Sequence, residues 1–149
     1  MQKGDISSEI VPRILIEFEG LLAHPQEQVP EPGGFLDRVF VRVKKPKIAW
    51  DLDDLVVKVM WDLTWRFSQE IDVITKQGEV FARDLADRLE VEQVPARRIW
   101  DYQPRRLARQ LASMPYIAAV YTGEREHAML YGSRGRLVTP ATITQIGRF

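Results

Sequence analysis

The sequence contains no cysteine. Disulfides, zinc–thiolate centres and cysteine nucleophiles are therefore excluded, and a reducing compartment suits the chain. An excess of one charge is missing too: 21 basic residues balance 21 acidic ones. No broad field steers such a molecule toward nucleic acid, so a nucleic-acid partner is not expected. Long hydrophobic runs are lacking. The densest apolar stretch, Leu55 to Phe67, is broken by Lys58, Asp62 and Arg66, which leaves nothing to span a bilayer. Met1 to Asp5 is polar, without the apolar segment of a secretory signal. The expected location is the cytoplasm, or a virion if the chain is of phage origin. Histidine is scarce: His24 and His127 share no short spacing and read as ordinary surface or half-buried side chains. The chain also lacks G-x-G-x-x-G, a Walker loop, G-x-S-x-G and H-E-x-x-H.

What is present is an ordinary globular composition. The 149 residues are 45% hydrophobic, enough for one domain with its own core. Residues 1–12 read as a polar lead-in, 13–139 as a single domain and 140–149 as a tail that packs or stays loose. Arg13 to Gly20 is an apolar run closed by acids and a glycine, which predicts a buried strand and a turn. Leu21 to Gly34 holds Pro25, Pro30, Pro32, Gly33 and Gly34 and reads as irregular loop. Between Phe35 and Trp50, alternating Val39, Val41 and Val43 predict a hairpin with Pro46 in its turn. Residues 21–50 thus form a loop-and-hairpin insertion.

Asp51 to Ser68 reads as a helix that Asp51, Asp53 or Asp54 could cap. Its wide apolar face predicts burial on more than one side. Beyond it, strands at 71–75, 97–100, 116–121 and 136–139 alternate with helices at 79–90, 104–114 and 124–131. That order predicts an α/β fold: a three-layer, Rossmann-like, mostly parallel sheet. Ligands of such sheets bind outside the carboxyl ends of the strands. Glu17 and Glu19 stand at one such end, two residues apart, where strand geometry puts them on one side. Such a pair suits Mg²⁺, which takes one or two carboxylates together with water and phosphate oxygens. Thr75, Thr122, Gly123 and Glu124 stand at others.

The segment Ile14 to Ala23, followed by the loop containing Glu31, Pro32 and Gly33, resembles the first motif of haloacid dehalogenase-like (HAD) hydrolases. That motif is a hydrophobic strand running into D-x-D-G. The resemblance covers roughly residues 13–139, mainly as an order of elements. It implies a nucleophile at Glu17, a general acid/base at Glu19, and a squiggle and flap in residues 21–50. It places the second motif at Thr75 and a fourth-motif setting at Thr122, Gly123 and Glu124. Arg105 stands where the family has a lysine. If the chain is catalytic, Mg²⁺ is the implied cofactor, held by Glu17 and Glu19; otherwise none is expected. Both first-motif aspartates are glutamates here, and the fourth-motif acids fall on Thr122 and Gly123. A rival placement uses the literal D-x-D at Asp51 and Asp53, as nucleophile and acid/base or as metal ligands; helix capping is the simpler account of those acids.

These substitutions lead us to expect a non-catalytic HAD-like domain that acts as a binding or assembly module, through a protein partner or self-association. The alternatives are a Mg²⁺-dependent phosphohydrolase with altered acids, or an unrelated α/β structural subunit of a larger assembly such as a phage particle. Trp50, Trp61, Trp65 and Trp100 are expected as core or interface anchors, with Trp61 and Trp65 on one helix face.

Overall fold

The computed structural model describes residues 12–26 and 49–146. Its centre is a five-stranded sheet in the order β5-β4-β1-β6-β7, with every neighbouring pair parallel. The strands are β1 (Arg13–Glu17), β4 (Glu70–Thr75), β5 (Ile99–Asp101), β6 (Ile117–Thr122) and β7 (Gly135–Leu137). Helices α1 (Asp54–Phe67), α2 (Glu79–Val91), α3 (Pro104–Gln110) and α4 (Arg125–Leu130) connect them. This is the α/β, Rossmann-like arrangement that the alternating pattern predicts. Among the described residues, no helix is long and apolar enough to cross a membrane.

Strand alternation sends successive side chains to opposite faces, and that divides the core in two. Ile14, Ile16, Ile71, Val73 and Ala119 pack with Val56, Met60 and Leu63 of α1 and with Leu85 and Leu89 of α2. Leu15, Ile74 and Val120 pack on the other side with Leu107 of α3, Leu111, Met114 and Tyr131. Asp72 also belongs to β4, yet its side chain is fully buried. Arg13 Nη1 donates to both of its carboxylate oxygens at 3.0 Å, and Trp100 Nε1 donates at 2.7 Å. A buried charge needs such partners.

The connection after β1 differs from expectation. The amides of Leu22 and Ala23 donate to the carbonyls five residues back, at Glu17 and Phe18. Two successive bonds of this span make one wide helical turn. The chain then enters β2 (Ala23–Pro25), which pairs antiparallel with β3 (Trp50–Leu52). A strand therefore replaces part of the loop expected from residue 21. Pro25 is tolerated because this ribbon has only two strands, both of them edges. The partner of Trp50 is Pro25; of the hairpin expected between Phe35 and Trp50, residues 35–48 lie outside the described residues, as do residues 1–11 of the lead-in.

Asp51 and Leu52 belong to β3, so α1 starts three residues later than expected. Ribbon pairing outcompetes helix formation there, and Asp53 becomes the cap: its Oδ1 accepts from the amides of Leu55 at 3.0 Å and Val56 at 3.2 Å. Burial on this helix is narrower than its apolar face: Leu55, Trp65 and Phe67 are exposed, while Val56, Met60 and Leu63 are buried and Val57 and Val59 pack partly against the same core. After β7 the chain turns back, and Ile143 and Ile146 join the α1 side of the core.

Candidate functional site

The carboxyl ends of β1, β4 and β6 converge on one cleft. Its walls include Glu17, Glu19, Thr75, Lys76, His127 and Tyr131. β1 ends at Glu17, so Glu19 reaches the cleft from the wide turn, not from strand alternation. Gly20 adopts φ +83°, a left-handed conformation that glycine allows without strain. Gly123 lies against this turn: a Cβ built there would stand 2.4 Å from the Gly20 carbonyl oxygen. The turn after β1 and the end of β6 thus touch through backbone alone.

Both glutamates are buried, and protein donors surround each of them. Tyr131 donates its hydroxyl to Glu17 Oε2 at 2.6 Å. The Thr122 hydroxyl donates to Glu17 Oε1. His127 Nδ1 lies 3.0 and 3.1 Å from the same two oxygens. Around Glu19, the Thr75 hydroxyl donates at 2.5 Å and the Gln77 side-chain amide at 2.7 Å. The Lys76 amide approaches the other oxygen at 3.4 Å. Each threonine hydroxyl also accepts from an amide two residues on, Gln77 for Thr75 and Glu124 for Thr122. Strand ends and carboxylates are therefore tied into single networks.

His127 has a second partner. Its Nε2 lies 3.0 Å from Glu124 Oε2, so each ring nitrogen faces a carboxylate. A neutral imidazole can donate to only one of the two. The Tyr131 phenol is pushed well above its ordinary pKa, first by burial and then by the adjacent Glu17 carboxylate, with smaller contributions from Glu124 and Glu19. It stays a neutral donor to Glu17.

The residues singled out from sequence separate into two sets. Glu17, Glu19, Thr75 and Thr122 come together, with Gly123 at the backbone contact and Glu124 one shell outward on His127. Arg105 is exposed on α3 and lines an outer groove, with no contact to either glutamate. Asp51 accepts from Gln26 at 2.7 Å on the ribbon, and Asp53 caps α1 while facing His24 at 3.3 Å. Neither lines the cleft. Tyr131 and the engaged role of His127 are not evident from sequence, whereas Gln77 falls in the strand-exit stretch Thr75 to Gly78 that the alternating pattern marks. The four-residue spacing of His127 and Tyr131, on a helix directly after a strand exit, was the available signal.

Mg²⁺ is the ion that the resemblance implies, and the cleft's donors can be tested against it. Magnesium takes near-octahedral oxygen donors and retains several waters. Glu17 accepts from a phenol and a hydroxyl and faces the His127 imidazole, and Glu19 accepts from a hydroxyl and a side-chain amide, with the Lys76 amide farther off at 3.4 Å. The cleft volume is about 10 Å³, roughly the minimum for a single water. Among the described residues, no group of three or more His, Asp or Glu is arranged to hold a metal. As placed, these residues do not fit a hydrated Mg²⁺. A larger cavity of about 810 Å³ lies along α2 and β5, away from both glutamates.

No protein-family model matches the chain, and no curated protein matches it. Among solved structures, it is similar to the HAD domain of the effector protein Lem4 from Legionella pneumophila, determined as an inactive mutant. The identity is 14%, over 87% of this chain and 83% of that one, with a TM-score of 0.49.

Proposed function

We propose that this chain is a HAD-like domain that does not hydrolyse phosphoesters and works as a binding or assembly module. Three features support the HAD-like reading: the parallel strand order around β1, the wide turn directly after it, and the ribbon that follows. The observation that carries the loss of chemistry is the engagement of both Glu17 oxygens by hydroxyl donors. A nucleophile must have a free oxygen in line with its target at about 3–3.5 Å. Both Glu17 oxygens instead serve Tyr131, Thr122 and His127. Glutamate is also one methylene longer than aspartate, which shifts the carboxylate from where an aspartate nucleophile would stand.

The rival reading is a Mg²⁺-dependent phosphohydrolase. It draws on one observation: Glu17 and Glu19 stand with Thr75 and Thr122 at the ends of three adjacent strands. Steady-state assays with generic phosphate monoesters and Mg²⁺ separate the two. We expect rates equal to a protein-free blank for the wild type and for Glu17→Ala alike. Robust turnover that disappears in Glu17→Ala would overturn the proposal.

A further inference from the structure

Helix α3 carries three arginines within five residues and no acid. Four arginines elsewhere meet an acid, Arg13 with Glu70 and Asp72, Arg66 with Asp62, Arg83 with Glu79 and Arg97 with Glu70, while Arg88, Arg134 and Arg136 donate to backbone carbonyls. Arg105, Arg106 and Arg109 are all exposed, and among the described residues none makes an ion pair. α3 contains no acid of its own in its first turn. Arg106 is fixed over the Tyr102 ring at 5.0 Å. Arg105 and Arg109, four residues apart, share a helix face and, among the described residues, have no counter-charge within ion-pair distance. In a chain of zero net charge, this is a local concentration of unneutralised cation.

Beside it lies a groove of about 610 Å³ between α3 and α4. Pro104, Met129 and Leu130 give it an apolar lining, Arg105 stands at its edge, and Glu126 is its one acid. Met129 is 75% exposed and Leu130 43%. The volume falls in the range of about 300–1,000 Å³ that suits a ligand or a few side chains. His127 and Pro104 line both this groove and the carboxylate cleft, so the two adjoin, and neither glutamate lines the groove.

We propose that this groove docks an acidic peptide segment of a protein partner. An apolar side chain of the segment sits on Met129 and Leu130, and flanking carboxylates meet Arg105 and Arg109. Guanidinium groups match carboxylates in a two-pronged geometry, and an apolar floor gives a side chain somewhere to bury. A nucleic-acid strand fits less well, because it needs a continuous cationic track and stacking faces. Here Glu126 interrupts the track, and Arg106 already covers Tyr102. The proposal rests on the reading of the chain as a binding module. Its test makes no use of turnover, so the two can fail separately.

Random-peptide display against the whole folded chain tests it, with counter-selection on the Arg105→Glu/Arg109→Glu variant. We expect enriched sequences that place Asp or Glu next to Leu, Phe, Ile or Met. A synthesised enriched peptide should then bind with an affinity that weakens at least about tenfold in the double reversal, and by a smaller factor in Met129→Ser. Added salt should weaken it too. All three positions are exposed, and circular dichroism verifies the fold; Arg105→Gln/Arg109→Gln replaces the reversal if that variant unfolds. The proposal is overturned if no arginine-dependent peptide emerges, if enriched peptides lack acids, or if a single-stranded oligonucleotide displaces the peptide.

Discussion

Tyr131 shows how much of the site depends on one hydroxyl. It is buried, it donates to a buried carboxylate, and burial together with Glu17 holds its proton firmly. Tyr131→Phe keeps the ring but leaves Glu17 short of a donor, which should cost about 1–3 kcal/mol in urea unfolding. The raised phenol pKa also sets a pH dependence. Below the ordinary tyrosine value of 10.0, folded and unfolded chains both carry the proton, and the stabilisation is complete. Above it the unfolded phenol ionises while the folded one cannot, so stability falls as the pH rises. Tyr131→Phe should flatten that alkaline decline in melting temperature; an unchanged slope would contradict the account. Glu17 and Glu19 were legible in the sequence because an apolar run led straight into them. Tyr131 was not, because its partner lies 114 residues away and no local pattern encodes that contact.

At the scale of elements, the connections decide where the glutamates point. Gly123 lets the end of β6 touch the turn after β1. A Cβ there meets backbone, not a flexible side chain, so one of the two segments must move. Gly123→Ala should therefore destabilise by about 1–3 kcal/mol, the usual cost of overpacking. Asp53→Ala removes a working helix cap and should cost about 0.5–2 kcal/mol without disturbing the cleft. The strand–helix alternation was readable from period and punctuation, and Ile71 to Thr75 illustrates it: apolar residues bounded by a polar exit. The ribbon was not. Pro25 argues against a strand in any local reading, and the pairing of Ala23 with Leu52 closes a separation that no window of sequence covers.

Across the described sheet, a partly buried ion pair stands at one end and a hydrogen-bonded carboxylate pair at the other. Arg13 and Asp72 tie β1 to β4 near the strand starts. Arg13→Leu strands the Asp72 charge in the core and should cost about 3–5 kcal/mol in chemical denaturation. The carboxyl ends of the same strands hold Glu17 and Glu19, where protein donors engage both oxygens of Glu17 and Oε2 of Glu19. We expect this cleft to be closed to Mg²⁺. Calorimetric titration of Mg²⁺ into the wild-type chain tests it most directly. The account predicts no saturable heat beyond dilution, in the wild type and in Glu17→Gln alike. One-to-one Mg²⁺ binding that vanishes in Glu17→Gln would contradict it.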